Sequence, residues 1–325
     1  MDLLYEDFPH ILDTRQFPLS FIERLGRTAN AIRTDPSRFR KVLRGKKVVV
    51  LFSQPSLRTF ESSIEAAEML GARVHAFENA AEFSSIKKGE TIKDTIRILK
   101  HYNSDFFIIR WHTEGSVHAA ADVAGLSHPV INAGDGPGQH PTQALLDEYT
   151  IRREFKSFDR PLVIGMVGDL LRGRTTHSLT YLLGKLYPNV SFFFISPDSA
   201  RMKPEIIDYL KRHQRRYVEV PSARLDQYAA ACDVLYMTRP QTDQEDDPEA
   251  RARLIAEYQS FILTPEIVAT MKPESIIMHP LPRTFELPEE IDDDPRARYF
   301  EQAENGLWVR MALLTEIQTQ LQLAA

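Results

Sequence analysis

Eight short apolar runs, each followed by a stretch with helical spacing, recur along the chain and constrain its fold more than any other feature. The runs are rich in Val, Ile and Phe, and turn residues flank them. They lack the apolar/polar alternation of a strand with one solvated face, so they predict strands that are buried on both faces. The runs are VVVLF (48–52), RVHAF (73–77), FFIIR (106–110), PVINA (129–133), PLVIGMVG (161–168), VSFFFIS (190–196), VLYM (234–237) and SIIMH (275–279).

The stretches between the runs have the spacing of amphipathic helices. Residues 60–70 carry apolar side chains near helical spacing, and Gly71 follows as the expected C-terminal cap. Residues 142–155 follow Pro141, which suits the first position of a helix. This alternation predicts an α/β fold with two doubly wound domains, each a parallel sheet flanked by helices. Ligands of such folds bind in the loops at the carboxyl ends of the strands.

The length of 325 residues suits two domains. A polar stretch, REFKSFDRP, follows the predicted helix after Pro141, and we expect residues 1–142 to form the first domain and residues 143–303 the second. The final helix, residues 306–323, is expected to return, so that residues 304–325 pack on the first domain.

Composition and charge exclude several classes of protein. The net charge of -5 is not that of a nucleic-acid binder, and no apolar run approaches the roughly 20 residues of a membrane span. The acidic start MDLLYEDFPHILD is not typical of a signal peptide, which predicts a cytoplasmic protein. The single cysteine, Cys232, excludes an intrachain disulfide framework and a thiolate zinc site, and is expected to be a small buried apolar residue.

Two loops and a strand end in the first half carry cations beside hydroxyl groups. The loop SQPSLRT (53–59) places Ser56, Arg58 and Thr59 at a helix N-terminus, where free N–H groups and the helix dipole favour an anion. Ordinary capping beside a surface arginine is the alternative. The stretch SSIKKGET (84–91) adds two lysines, with a solvated loop as its alternative, and Arg110 closes the next strand at its carboxyl end.

The stretch NAGDGPGQHPTQ (132–143) is the most informative of the first half. Its three glycines allow the backbone to approach a ligand closely. His140 lies just before a helix N-terminus, whose dipole disfavours imidazolium, so a neutral ring that donates one hydrogen bond is predicted. Gln143 lies on the first turn beside it, and a purely structural histidine is the alternative.

Two arginines in the second half follow strands. Arg174 and Arg239 suit bidentate binding of carboxylates, and Gln241 lies two residues beyond the second. The turn GMVGD lacks the full glycine pattern of a dinucleotide site, so a dehydrogenase is poorly supported. The prolines of HPLPR (279–283) stiffen that loop and hold its carbonyl groups at fixed positions.

The motifs SLRT, SSIKKGET, NAGDG-x-x-QHPTQ, LYMTRPQ and HPLPR occur in the order and spacing of the carbamoyltransferase family, which the chain resembles from about residue 45 to 315. The KKGET loop and the Arg-x-Gln pair resemble the aspartate-using branch more narrowly. The resemblance implies that carbamoyl phosphate and L-aspartate give N-carbamoyl-L-aspartate and phosphate, an early step of pyrimidine synthesis. It implies neither a metal nor a cofactor.

The resemblance also implies a role for each matching residue. The catalytic residues would be Arg58, Thr59, Arg110 and His140. Carbamoyl phosphate would be bound by Ser56, Leu57 (through its N–H), Arg58, Thr59, Ser84, Lys88, Arg110, His140, Gln143, Pro280 and Leu281. Aspartate would be bound by Lys88, Arg174, Arg239, Gln241 and Leu281. The family further implies a homotrimer in which the KKGET loop completes a neighbour's site, and leaves room for a regulatory chain or a larger assembly.

Four positions depart from the family pattern: Gln54, Leu57, Phe60 and Gln244. Neutral residues at 54 and 244 predict a weakened closure contact and nearly hyperbolic aspartate saturation, with two exposed and tolerant positions as the alternative. Two other hypotheses about the chain stay open, and the altered loop motivates the second of them. One is a carbamoyltransferase with a different amino-acid acceptor, and the other is a catalytically weak paralogue that serves as a partner in a larger assembly.

Overall fold

The structure, a computed structural model, describes residues 8–220, 225–242 and 247–324. The chain divides into two compact units, unit 1 (Met1–Tyr149 with Glu304–Ala325) and unit 2 (Thr150–Ala303). The division thus falls seven residues later than the expected boundary after residue 142, because the helix that begins at Pro141 continues without a break to Phe155. Its first part belongs to unit 1, where Tyr149 Oη donates to Asn30 Oδ1 at 2.7 Å, whereas Ile151 packs in the core of unit 2.

Unit 1 is built on a parallel sheet of four strands among its described residues, in the order β2-β1-β3-β4. The strands are β1 Lys47–Phe52, β2 Arg73–Phe77, β3 Phe106–Trp111 and β4 Val130–Asp135. The helices are α1 Leu19–Thr34, α2 Leu57–Met69, α3 Ala80–Phe83, α4 Ile92–His101, α5 Ser116–Ala124, α6 Pro141–Phe155 and α12 Tyr299–Ala324, the last two being shared with unit 2.

The final helix returns to unit 1, as the sequence predicts. From Glu304 onward α12 belongs to that unit, and Gly306 lies against the side chain of Leu146 on α6. A Cβ at position 306 would come within 3.3 Å of Leu146 and 2.5 Å of Arg310 Nη1. Glycine inside a helix is intrinsically unfavourable, so the tight space left by Leu146 and buried Arg310 is the physical reason for its presence here.

Unit 2 is built on a parallel sheet of five strands among its described residues, in the order β7-β6-β5-β8-β9. The strands are β5 Leu162–Val167, β6 Val190–Ile195, β7 Arg216–Val220, β8 Val234–Met237 and β9 Ile276–Met278. The helices within the unit are α7 Arg174–Leu186, α8 Pro204–Arg212, α9 Leu225–Ala229, α10 Pro248–Tyr258 and α11 Pro265–Thr270.

Burial on both faces of the second sheet explains the continuous apolar runs. On β8, Val234 and Tyr236 pack in one apolar cluster, whereas Leu235 and Met237 pack in another on the opposite face. Cys232 is buried just before this strand, and burial raises the pKa of its thiol to about 12. The expectation of a small apolar residue at 232 is therefore confirmed.

Two edge strands depart from the expected pattern. Strand β7 was not predicted, because RYVEV is an exposed edge strand that contains no continuous apolar run. Strand β2 was predicted as a strand buried on both faces, and this is wrong: it lies at the edge of its sheet with Phe77 exposed. None of the helices in the described ranges is both long enough and apolar enough to span a membrane.

Gly71, which follows α2, provides a test of this packing. Its φ is +89°, and a Cβ there would lie 2.4 Å from the carbonyl oxygen of Arg40. Gly45 also has a positive φ, +84°, but open space around the position of its Cβ. Backbone strain of about 1–2 kcal/mol is common to both sites, so Gly71→Ala should lower the free energy of unfolding clearly more than Gly45→Ala.

Urea unfolding followed by tryptophan fluorescence measures this difference, because Trp111 and Trp308 both belong to unit 1. Equal losses of stability in the two variants would mean that the backbone at Arg40 moves away from the new Cβ without a loss of folding free energy.

Candidate active site

The strand order of each sheet locates the candidate site. In unit 1 the chain leaves β1 toward β2 on one side and returns to β3 on the other, so the two loops that follow β1 and β3 diverge. Such a switch point opens a crevice at the carboxyl ends of the two strands. The last residue of β1, Phe52, pairs in register with Arg110 on β3. The loop 53–59 and Arg110 therefore share one edge of the sheet.

The N-terminus of α2 forms the first part of this edge. Ser56 is the N-cap residue, and its hydroxyl makes no capping hydrogen bond, which weighs against the ordinary capping alternative. Leu57, Arg58 and Thr59 form the first turn, as predicted. Leu57 is 71% exposed and Thr59 is buried, while partial burial lowers the pKa of the Arg58 guanidinium.

A carboxylate occupies this helix N-terminus. Ser56 N–H donates to Oε1 of Glu78 at 3.1 Å, and Glu78 itself lies on the exposed surface just after β2. The position is one where backbone N–H groups and the helix dipole favour negative charge. Sequence reasoning missed Glu78, because nothing in the stretch FENA distinguishes it from a solvated acid.

Phe60 takes up the space inside unit 1 behind this loop. Its ring lies edge-to-face on Phe52, with centroids 5.2 Å apart, and it is buried. The core of unit 1 therefore accommodates Phe60, the residue that departs from the family pattern at this position. Gln54 is exposed, and Gln244 lies outside the described residues, so the closure contact proposed for these two positions stays a prediction.

Arg110 connects three segments of the edge. Its carbonyl oxygen accepts from Ser53 N–H at 2.9 Å, and its Nη1 lies 3.5 Å from the carbonyl oxygen of Ala133 on β4. The segment after β4 is itself anchored, because Gln139 accepts from Thr14 N–H at 3.0 Å and donates to Asp13 at 2.6 Å. The structure thus brings the 53–59 loop, Arg110 and the NAGDGPGQHPTQ stretch together.

His140 and Gln143 lie at the start of α6. His140 is buried, with Nδ1 3.4 Å from Oγ1 of Thr142, and the predicted neutral state of its ring stays a prediction. Gln143 Nε2 donates to Oδ1 of the fully buried Asp147 at 2.9 Å. Burial lowers the pKa of Arg310 on α12 to about 10, although the negative charge of Asp147 acts to raise this pKa.

Ser84 and Lys88 lie on a separate turn. Ser84 caps the 3₁₀ turn Ser85–Lys88, accepting from Ile86 N–H at 3.2 Å. Lys88 is exposed at its end, and Gly89 closes the turn with φ +96°. In the described part of the chain, no ion pair or hydrogen bond joins Lys88 to the anion position at α2.

Unit 2 has its own switch point, between β5 and β8. The two loops approach so closely that a Cβ on Gly168 would lie 2.3 Å from the carbonyl oxygen of Thr238. Buried Asp169 links them, accepting from Arg172 N–H at 3.0 Å and from Gln241 N–H at 3.4 Å. Sequence reasoning missed Asp169, for which the only signal was an acid directly after an apolar run.

The predicted carboxylate-binding residues follow strands β5, β8 and β9. Arg174 is the first residue of α7, behind the loop that follows β5. Arg239 Nη2 lies 3.5 Å from Oε1 of Gln241 after β8, so the structure brings these two residues together. Pro280 and Leu281 follow β9, the next strand along the sheet, and Leu281 has the unusual φ of +50°.

Two family profiles together cover most of the chain. The profile for the aspartate/ornithine carbamoyltransferase carbamoyl-P binding domain matches residues 9–153, and the profile for the Asp/Orn binding domain matches residues 161–317. Aspartate carbamoyltransferase 1, chloroplastic, from Pisum sativum is 42% identical over 94% of this chain and 77% of its own. The aspartate carbamoyltransferase catalytic subunit of Methanocella arvoryzae is 40% identical over 94% of this chain and 96% of its own.

Solved structures agree with these sequence matches. Aspartate transcarbamoylase from Trypanosoma cruzi, in complex with carbamoyl phosphate and aspartate, superposes with a TM-score of 0.85 at 35% identity, over 94% of each chain. The catalytic subunit of M. jannaschii aspartate transcarbamoylase gives a TM-score of 0.84 at 36% identity, over 96% of this chain and 98% of its own.

Displacement of Glu78 provides a test of the anion position at α2. An anion that binds the first turn of this helix competes with the carboxylate that accepts from Ser56 N–H. Glu78→Gln should therefore lower the Kd for inorganic phosphate by about tenfold, since a charged hydrogen bond contributes roughly 1.5–3 kcal/mol. Calorimetric titration with phosphate measures the change.

Glu82→Gln is the matched control, because Glu82 is a nearby exposed acid on α3, whereas Ser56 N–H donates to Glu78. If both variants changed the Kd for phosphate equally, the effect would be general electrostatics and not competition at α2.

Proposed function

The chain belongs to the aspartate/ornithine carbamoyltransferase family, and from that membership we infer that it transfers the carbamoyl group of carbamoyl phosphate to the amine of L-aspartate. The products are N-carbamoyl-L-aspartate and phosphate, in an early step of pyrimidine synthesis. One observation supports the inference within the fold: residues suited to bind anions lie at the switch point of each sheet, at the N-terminus of α2 in unit 1 and at Arg239 with Gln241 in unit 2.

In unit 1 the phosphate of carbamoyl phosphate is bound at the N-terminus of α2. Leu57 contributes its backbone N–H, so the loss of a hydroxyl at this position removes one donor and leaves the main-chain contact. Two arginines supply positive charge despite the net charge of -5. The residues proposed for this substrate are Ser56, Leu57, Arg58, Thr59, Ser84, Lys88, Arg110, His140 and Gln143, with the carbonyl groups of Pro280 and Leu281 in unit 2.

The chemistry is attack of the aspartate amine on the carbamoyl carbon. Negative charge grows on the carbonyl oxygen, and donors that are already in place stabilise it without reorganisation. Thr59, Arg110 and His140 are the proposed donors, with His140 acting as a neutral ring. The bond from carbon to the phosphate oxygen then breaks, and the leaving phosphate accepts the proton of the amine.

In unit 2 the two carboxylates of aspartate are bound by cations on the switch-point loops. Arg174, Arg239 and Gln241 are the proposed ligands, together with Lys88 and the backbone of Leu281. Asp169 orients this set indirectly, because it fixes the backbone of Arg172 and Gln241. A cationic acceptor such as ornithine would meet positive charge at these ligands, which favours aspartate.

The acceptor is tested with Arg239. Arg239→Ala should lower kcat/KM for aspartate by about tenfold or more, because charged hydrogen bonds contribute roughly 1.5–3 kcal/mol each. Arg201→Ala is the matched control, since Arg201 is an exposed arginine of the same unit that pairs with Asp198. A carbamoylation assay over several amino acids measures both variants and the parent protein.

Turnover of ornithine without turnover of aspartate would assign a different acceptor. No turnover by the correctly folded protein with any amino acid would favour the catalytically weak paralogue.

We further propose a homotrimer in which the turn that carries Lys88 completes the site of a neighbouring chain. Support comes from the family resemblance of KKGET and from the exposed position of Lys88 at the end of its turn. The proposed chemistry requires no regulatory chain, and sedimentation of the purified protein measures any assembly beyond a trimer. The cytoplasm is the proposed compartment. Fractionation of cells that express the protein tests it.

Complementation tests the shared site. Lys88→Ala and His140→Ala should each be inactive alone, and mixed chains should regain activity after dissociation and reassembly. About a quarter of the sites would then combine an intact Lys88 from one chain with an intact His140 from another. Each variant reassembled with itself is the control. Full activity in a monomeric parent protein would contradict the proposal.

A further inference from the structure

Leu281, in the loop after β9, has a backbone conformation that a bulky residue seldom adopts. Its φ of +50° lies in the left-handed region, where the Cβ of an L-residue is crowded. Residues held in this region persist when their surroundings fix them, and they cluster at functional sites. The carbonyl of Leu281 is among those proposed to bind the substrate, so the groups that hold Leu281 also determine where this carbonyl points.

His279 holds Leu281 through one ring nitrogen. Leu281 N–H donates to Nδ1 of His279 at 2.8 Å, so this nitrogen carries a lone pair and no proton. The other ring nitrogen, Nε2, lies 2.9 Å from Oε1 of Glu286. A carboxylate accepts, so Nε2 carries the proton. The two contacts together assign a neutral ring with its hydrogen on Nε2.

Glu286 is the fixed acceptor behind this ring. The side chains of His279 and Glu286 are only 1% and 2% exposed. Burial acts to raise the pKa of Glu286, but hydrogen bonds from His279 and Thr284 outweigh it and hold this pKa below its usual value. Thr284 donates its backbone N–H to Oε1 at 3.0 Å and its hydroxyl to Oε2 at 2.5 Å.

The main chain of His279 is held as well. Its N–H donates to Oε1 of Gln302 at 2.8 Å, and Gln302 is a buried residue of α12. His279 is thus fixed at its backbone by α12 and at its ring by Glu286, and both partners belong to unit 2. The ring has little freedom to rotate away from Leu281.

We infer that His279 and Glu286 are positioning residues for carbamoyl transfer: Glu286 selects the ring tautomer, and His279 Nδ1 holds Leu281 so that the carbonyl groups of Pro280 and Leu281 point in fixed directions. The inference rests on the proposed function, in which these carbonyls accept hydrogen bonds from the carbamoyl NH₂. Neither side chain is assigned a contact with substrate. In metal-binding histidines, a carboxylate bound to the second ring nitrogen fixes the tautomer and the ring orientation in the same way.

Glu286→Gln tests the tautomer assignment with almost no change of shape. The amide can present its NH₂ to Nε2, which allows the ring proton to move to Nδ1. That proton would then face Leu281 N–H, so that two donors meet. The hydrogen bond from Leu281 N–H to His279 Nδ1 would be lost. Turnover should fall about 10- to 100-fold, the size of effect seen when the partner behind a ligating histidine is removed.

His279→Asn and Asp233→Asn serve as comparison variants. An asparagine oxygen can accept from the N–H two residues on, so His279→Asn keeps a support for Leu281 and should lose less activity than Glu286→Gln. Asp233 is another buried carboxylate of unit 2; it accepts from Val163 N–H and pairs with Lys272. Asp233→Asn should leave the loop unchanged.

Two ligands separate positioning from general damage. Acetyl phosphate carries a methyl group where carbamoyl phosphate carries the NH₂ that these carbonyls would bind. The ratio of the affinity for carbamoyl phosphate to that for acetyl phosphate should therefore fall about tenfold in Glu286→Gln. The inhibition constant for inorganic phosphate should stay within about twofold of the parent value. Thermal unfolding of each variant establishes that it is folded.

The nitrogen NMR shifts of His279 provide a readout independent of activity. The parent protein should show a protonated Nε2 and a bare Nδ1, and Glu286→Gln should shift the proton toward Nδ1. A folded Glu286→Gln variant with the parent tautomer and an unchanged preference for carbamoyl phosphate would overturn the inference. If the parent protein transferred no carbamoyl group, the proposed function would fall, and the NMR result alone would decide the positioning role.

Discussion

Parallel pairing of the two central strands in each sheet is the constraint on which the candidate site depends. In unit 1 the ladder places Phe52 opposite Arg110, and in unit 2 it places Val167 opposite Met237. The loops that follow these strands diverge, so a crevice opens beside them. Because alternate residues of β8 pack in two different apolar clusters, a one-residue slip of register would turn each side chain toward the cluster that it does not fit. The sheets therefore fix where the two loops begin.

The rest of each loop is held by buried polar groups. Asp169 joins the two loops of unit 2, and Gln139 ties the His140 segment to Thr14. Such groups are costly to bury without partners, so a loop that satisfies them has few alternative conformations. His279 and Glu286 extend this arrangement to the loop after β9. Rigid loops suit a reaction whose transition state needs donors and acceptors that are already in place.

The sequence predicted the central strands because burial on both faces leaves a continuous apolar run. It missed β7, which is largely exposed and has no such run, and it misjudged β2, which is also largely exposed. Cations such as Arg110 and Arg239 were found because a charge after an apolar run is conspicuous. Supporting acids such as Asp169 were missed, because an acid directly after an apolar run does not reveal the contacts that it makes with distant segments.

Burial distinguishes structural carboxylates from one that a substrate can replace. Asp135 accepts from Gly115 N–H at the start of α5, and it is buried. Asp169 does the same for Arg172 ahead of α7, and it is also buried. Glu78 accepts from Ser56 N–H at α2 but is exposed. Removing a buried carboxylate would leave N–H groups without water or partner, whereas Glu78 can return to solvent as an anion takes its place. Among these three backbone positions, the one at α2 is therefore the one suited to exchange its own carboxylate for a phosphate.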